Sequence, residues 1–111
     1  MVTKGNKMNF TEKPWGFDMT MADTKKYAGR ILIVREGEKL EYIYHKNRDI
    51  TLFILQGVVQ LVVEGRNKLL NEKDSYHIAP KLMHRIIAFK GDATIIEIGT
   101  PLEDDIVLVE R

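Results

Sequence analysis

Short runs of alternating apolar and polar residues make up most of the chain. From Arg30 onward these runs are rich in β-branched and aromatic side chains, and turn residues such as Gly57, Gly65 and Gly91 separate them. Alternation with a period of two is typical of β-strands, and no long stretch repeats its apolar positions with the period of an α-helix. The pattern predicts strands at residues 30–35, 40–45, 50–55, 58–64, 67–70, 75–79, 84–89, 93–98 and 105–109.

The even spacing of many short strands predicts one all-β domain, built as a small β-barrel or sandwich. A chain of 111 residues is long enough for one domain and too short for two. Residues 1–12 are polar and lack the alternation, so we expect a flexible N-terminal arm over 1–12 and the barrel domain over 13–111.

The composition is that of an ordinary globular protein, and it excludes several functions. There are 17 basic and 16 acidic residues, so neither nucleic acid nor an anionic membrane is an expected partner. The absence of cysteine excludes disulfides, thiolate zinc sites and cysteine nucleophiles. The chain has no apolar run of transmembrane length and begins without the pattern of a signal peptide, so we expect a cytoplasmic protein.

Strand parity places two of the three histidines inside the barrel. Alternate residues of a strand share a face, so His45 shares a face with Ile43, and His84 shares a face with Ile86. If the apolar residues face the core, both imidazoles project into it, whereas Tyr44 faces outward. The two histidines are therefore candidates for catalysis or metal binding. The alternative is that they are buried and hydrogen-bonded to their neighbours.

Four segments carry a further pattern of histidine, glycine, proline and charged residues. They are 13–16 (Lys-Pro-Trp-Gly), 37–57 with Gly at both ends and His45 and Arg48 inside, 74–85 with Pro80 before His84 and Arg85, and Glu97 with 103–107 (Glu-Asp-Asp-Ile-Val). In these segments the chain resembles the cupin superfamily. Within it, the chain resembles the type II mannose-6-phosphate isomerase domain that also forms the C-terminal part of mannose-1-phosphate guanylyltransferases.

The resemblance implies a cupin-type β-barrel (a double-stranded β-helix or jelly roll) that isomerises sugar phosphates at a metal ion. It also implies that three His or Gln side chains and one Glu hold the metal, at the positions of Ile43, His45, Ile50 and His84 in this chain. Isoleucine offers no lone pair, and Leu108 stands where the family has an arginine. We therefore expect no cofactor; any cofactor would be a divalent metal such as zinc, held by His45 and His84.

Basic residues flank both histidines. Lys46 and Arg48 follow the first histidine, and Lys81 and Arg85 surround the second, so all four are expected at one mouth of the barrel. Arginine forks suit phosphate and carboxylate groups, and we assign ligand binding to Lys46, Arg48, Arg85 and the neighbouring Tyr44. The alternative is a rim of solvated charges.

Three other features also have two interpretations. His77 is either a substitute metal ligand or a surface residue. Trp15 either stacks on a sugar or covers the core. The acidic group of Glu103, Asp104 and Asp105 is either catalytic or a solvated tail, and we favour the tail.

Two functions remain open at this point. The first is a sugar-phosphate-binding protein or a weak aldose–ketose isomerase, with His45 and His84 as the catalytic residues. The second is a metal-free structural or regulatory module whose pocket has closed. An open polar cavity favours the first function, and a filled interior favours the second. A homodimer is expected in either case, because the chain has apolar residues beyond one core: Phe10, Trp15, Phe17, Tyr42, Tyr44, Phe53 and Ile87.

Overall fold

The computed structural model describes residues 9–111, which form an antiparallel β-sheet that curls on itself. Its strands are β1 (Asn9–Lys13), β2 (Gly16–Asp23), β3 (Ala28–Val34), β4 (Tyr42–His45), β5 (Ile50–Val63), β6 (Arg66–Leu70), β7 (Ser75–Ile78), β8 (His84–Gly99) and β9 (Ile106–Glu110). The strand order is β1-β2-β3-β8-β4-β9, and β5 pairs with β6, β7 and β8. The all-β prediction is confirmed. No helix that is long and apolar enough to cross a membrane occurs in the described residues.

Two long strands, β5 and β8, hold the barrel together. The sequence predicted each of them as two strands, broken near Gly57 and Gly91. The structure instead continues both strands through these points, and their pairing shifts register between Ile54 and Val59. Such β-bulges bend and twist a sheet. The predicted breaks are therefore the bends at which β5 and β8 pass from one side of the barrel to the other.

The first two strands were not predicted. Strand β1 contains residues 9–12 of the predicted flexible arm and pairs with β2 along its whole length; residues 1–8 of that arm lie outside the described residues. In β2 the polar residues Asp18 and Thr20 occupy the inward register, while Phe17 and Met19 face outward. This is the reverse of the usual alternation, so the pattern did not indicate a half-buried strand.

The apolar core fills one part of the barrel and leaves the histidines at its border. Its buried side chains come mainly from β3, β5 and β8, and they include Leu32, Leu52, Ile54, Leu61 and Ile95. These residues alternate with outward-facing neighbours, as strand geometry requires. The core thus fixes which face of each strand points inward, and it sets the direction of the polar side chains described next.

Candidate functional site

A small chamber lies inside the barrel between His45 at the end of β4 and His84 at the start of β8. Its volume is about 40 Å³, and Ile43, Ile86 and Glu97 also contribute to its wall. Strand β4 meets β8 at the pair Ile43 and His84, which brings the two histidine rings to a centroid distance of 6.1 Å. The prediction that both histidines point into the interior is confirmed.

The His45 ring is held by a buried carboxylate. Nδ1 of His45 donates a hydrogen bond to Oδ1 of Asp105 over 2.9 Å. The other carboxylate oxygen accepts from the backbone N–H groups of Asn47 (2.9 Å) and Arg48 (2.8 Å). Because an ionised carboxylate only accepts, Nδ1 of His45 carries the proton of this hydrogen bond.

This position of Asp105 corrects the prediction of a solvated acidic tail. Glu103 and Asp104 are exposed, as predicted, but Asp105 is only 3% exposed. Burial alone raises the pKa of the Asp105 carboxyl, yet the hydrogen bonds from His45 and from the backbone of residues 47 and 48 outweigh it and lower this pKa below its ordinary value.

His84 is held in a different way. Its Nδ1 donates to the backbone oxygen of Leu82 over 3.0 Å. Burial lowers the pKa of His84 below its ordinary value, and the nearby His45 ring acts in the same direction, against the raising effects of the Leu82 carbonyl and Glu97. The neutral form of His84 is therefore favoured in the folded protein, with an unprotonated Nε2.

A second buried polar group lies beside the histidines. Glu97 on β8 forms ion pairs with Nη2 of Arg30 (2.9 Å) and Nη1 of Arg48 (3.2 Å), and Arg30 also contacts Asp18 (3.2 Å). Burial raises the pKa of Glu97, but the two guanidinium groups outweigh it and lower this pKa. The analysis of the sequence did not single out Asp18 or Arg30. Their inward position could have been inferred from strand parity, because Asp18 pairs with the buried Leu32 and Arg30 shares a strand face with it.

The residues predicted to bind a ligand do not meet at one mouth of the barrel. Arg48 is 3% exposed, and besides its contact with Glu97 it donates from Nε and Nη2 to the oxygen of Thr100 (3.2 Å each). Lys46 is exposed and Tyr44 is half-buried on the outward side of β4. The basic side chains therefore do not converge on one point, as an anion clamp would require.

Arg85 is occupied by neighbouring protein groups. Its Nε donates to the oxygen of Leu40 (2.8 Å) and its Nη2 to the oxygen of Glu110 (3.2 Å). The guanidinium also lies over the Tyr42 ring, 5.8 Å from its centroid. Both buried arginines thus have their donors directed at acceptors within the fold.

The remaining candidate residues lie away from the chamber. His77 is on the exposed face of β7 and its Nε2 is hydrogen-bonded to Oδ1 of Asp49. Trp15 packs against the apolar core, in agreement with the covering role, and Ile50 is a core residue that does not line the chamber.

The donor set does not fit the metal that cupins hold. Among residues 9–111, no three or more His, Cys, Asp or Glu side chains are placed to share a metal ion. Two buried carboxylates beside the histidines already have partners, Asp105 through hydrogen bonds and Glu97 through two arginines. Two imidazoles leave a catalytic zinc ion one protein ligand short, and we derive no step through a metal.

Comparisons with known proteins agree with this architecture. The family model "Mannose-6-phosphate isomerase C-terminal" matches residues 4–111. A mannose-1-phosphate guanylyltransferase of Sinorhizobium fredii is 31% identical over 101 residues, which are 87% of this chain and 20% of the relative. The chain therefore spans about a fifth of the length of that relative.

Solved structures show the same fold at low sequence identity. KdgF from Halomonas sp. is 20% identical, with a TM-score of 0.79, over 86% of this chain and 90% of that one. An RmlC-like cupin from Shewanella frigidimarina is 14% identical, with a TM-score of 0.77, over 92% and 91% of the two chains. The predicted cupin-type β-barrel is confirmed, and the chain belongs to the mannose-6-phosphate isomerase C-terminal family of cupin domains.

Proposed function

We propose that this domain is a metal-free cupin with a closed interior, and that it acts through its surface as a homodimeric interaction or regulatory module. The observation that carries the proposal is the chamber of about 40 Å³ between His45 and His84. Pockets for small molecules commonly have volumes of roughly 300–1,000 Å³. The chamber has room for about one water molecule, so a sugar phosphate would need a large rearrangement of the barrel.

The polar contacts around the chamber support the same function. Arg48 and Arg85, which are the natural partners for a phosphate, are held by Glu97, Thr100, Leu40 and Glu110. Releasing them to an anion would leave buried acceptors unpaired, at a cost of about 1–3 kcal/mol each. Binding of sugar phosphates is therefore expected to be weak and to involve exposed cations such as Lys46.

The size of the relative is consistent with an accessory role. The match covers a fifth of a longer guanylyltransferase, so a related domain works there as one part of a larger protein. We propose that the present domain works as a partner module in the cytoplasm, with assembly rather than turnover as its activity.

Metal analysis of the purified protein tests whether the chamber between the histidines is free of metal. We expect the purified protein to hold less than about a tenth of an equivalent of zinc, manganese, iron or nickel after dialysis, because three protein ligands are needed. The variant Ile43→His tests the site directly, because Ile43 lines the chamber with His45 and His84, and a third imidazole there should raise the affinity for a divalent metal. Near-stoichiometric metal in the unmodified protein would overturn the metal-free proposal.

Activity measurements separate the two functions. A coupled assay with mannose 6-phosphate and fructose 6-phosphate should show at most trace turnover. A metal that polarises the carbonyl stabilises the transition state by several kcal/mol, and each loss of about 1.4 kcal/mol lowers the rate about tenfold. Calorimetric titration with phosphorylated sugars should show weak binding that falls in Lys46→Ala and is unchanged in Lys25→Ala. Robust turnover that a chelator abolishes would favour the isomerase instead.

A further inference from the structure

A groove lies on the outside of the barrel, where β2, β3, β8 and β5 run side by side. Its volume is about 700 Å³, whereas the chamber between the histidines has a volume of about 40 Å³. Pockets that hold small molecules commonly have volumes of roughly 300–1,000 Å³. Of these two cavities, it is therefore the outer groove that has the size of a small-molecule site.

Gly29 forms the floor of this groove. It lies on β3 between Ala22 of β2 and Ile98 of β8, and Thr51 of β5 follows Ile98 in the same outward row. Because Gly29 has no side chain, its backbone lies lower than the side chains around it, and the hollow opens above it. The exposed ring of Tyr27 forms one wall.

The fold itself does not require glycine at this position. Gly29 is not among the glycines with a positive φ. The nearest atoms to an added Cβ belong to side chains, and the closest is Cε of Met21 at 3.0 Å, on a residue that is 40% exposed and can move. At Gly99, by contrast, an added Cβ would clash with the backbone oxygen of Asp49. A glycine inside a strand weakens it and often marks a place where a ligand approaches the backbone.

The charge of the groove indicates what kind of ligand it suits. Among the described residues that line the groove, Asp49 alone carries a charge. Its side chain is 49% exposed, and Nε2 of His77 is hydrogen-bonded to its Oδ1, which orients the carboxylate. A ligand with an apolar body over Gly29 and a positive charge at Asp49 would thus match the groove in both polarity and charge.

We propose that this groove binds a small organic amine, which is a molecule with a flat apolar body and one ammonium group. The body lies on Gly29 between Ile98 and the Tyr27 ring, and the ammonium group lies at the Asp49 carboxylate. The proposal goes beyond the function proposed above and does not depend on it. Metal content and turnover test the closed interior, whereas amine binding tests the outer groove.

Three probes of nearly equal shape test the ligand class: phenethylamine, the neutral phenethyl alcohol and the anionic phenylpropionate. Each is titrated into the isotope-labelled protein and followed by proton–nitrogen correlation spectra. We expect phenethylamine to shift the amide signals of Gly29, Thr51 and Ile98 in a saturable way. The alcohol should bind about threefold to fivefold more weakly, as expected for one half-exposed charge pair, and phenylpropionate more weakly still.

Two variants test the site itself. Gly29→Val fills the floor and should weaken phenethylamine binding about tenfold or more through steric conflict. Its melting temperature should stay equal or rise, because valine suits a strand better than glycine does. Asp49→Asn should abolish the preference for the amine over the alcohol. Thr94→Val is the control, since Thr94 lies on β8 outside the groove and the variant should bind as the unmodified chain does.

Several results would overturn the proposal. One is the absence of saturable shifts at the groove in the unmodified chain, and another is a folded Gly29→Val that binds phenethylamine as tightly as before. Equal binding of the amine and the alcohol would show that Asp49 does not select the ligand. If Gly29→Val fails to fold, glycine serves the fold after all; Gly29→Ala and Asp49→Asn then decide whether the groove binds the amine.

Discussion

At the scale of single residues, the interior polar groups are arranged as pairs that satisfy one another. Burying a charge without a partner is costly, and here Asp105 accepts hydrogen bonds from a histidine and two backbone groups, while Glu97 lies between two arginines. No buried side-chain nitrogen or oxygen of the described residues lacks a partner. Side chains that could have bound a ligand are therefore used by the fold itself, and this supports the proposal of a closed interior.

Replacement of Asp105 tests whether its carboxylate is structural. Asp105→Asn keeps the shape but removes the charge, and its amide group cannot accept from all three donors. We expect a loss of about 2–3 kcal/mol in the free energy of unfolding, in the range of hydrogen bonds to a charged group. Urea unfolding followed by circular dichroism measures it. Asp104→Asn is the control, because the exposed neighbour should change stability by less than about 0.5 kcal/mol.

Residue parity explains which parts of this site could be predicted. The inward direction of His45 and His84 follows from alternation alone, because His45 shares a face with the half-buried Ile43 and His84 shares a face with the buried Ile86. The contact of His45 with Asp105 spans 60 positions of the sequence, and it depends on how the loops after β4 and β8 meet. No local pattern contains that information, so the acidic segment 103–105 was assigned to solvent.

At the scale of the elements, glycines bend the two long strands without breaking them. Gly57 has a φ of +90°, and a Cβ there would lie 2.4 Å from the oxygen of Asp92. The neighbouring strand thus approaches so closely that only glycine fits. Turn residues in the sequence were informative about these positions, but they could not distinguish a bend within a paired strand from a loop between two strands. Pairing with a distant strand decides this.

Substitution of Gly57 tests that close approach. Gly57→Ala adds both the strain of a positive φ and a clash with backbone, so we expect a loss of about 3 kcal/mol or more in unfolding free energy. Gly37→Ala is the matched control, since its φ is +79° but nothing lies within 4 Å of the added Cβ. It should lose only about 1 kcal/mol. Equal losses for both variants in thermal and urea unfolding would show that φ alone accounts for the effect.

At the scale of the whole molecule, three buried titratable groups act on stability in one direction. The pKa values of Asp105 and Glu97 are lowered in the fold, chiefly by hydrogen bonds and arginines that outweigh burial. The pKa of His84 is lowered by burial. In each case the unfolded chain binds a proton more readily than the folded protein does, so stability must fall as the pH falls.

The direction of each pKa shift determines the pH range in which stability is lost. Above the ordinary histidine pKa of 6.5, His84 is neutral in both the folded and the unfolded chain and does not change the free energy of unfolding. Below that pH, the unfolded chain binds the proton before the folded protein does. The stability therefore decreases as the pH falls towards the pKa of His84 in the folded protein. The contributions of Glu97 and Asp105 are present above their ordinary pKa values of 4.5 and 3.8, and they are lost as the pH falls through their lower folded values.

Urea unfolding between pH 8 and pH 3 measures this dependence, and we expect a plateau above roughly pH 7, a first decline below the histidine pKa and a second below about pH 4.5. His84→Gln should remove the first decline and leave the second, because it takes away the imidazole but keeps both carboxylates. His77→Gln is the control, since His77 is exposed and lies outside the chamber; its profile should keep both declines. A stability that rises between pH 7 and pH 5 would contradict the neutral, buried state of His84 and would point to an imidazolium held by the chamber.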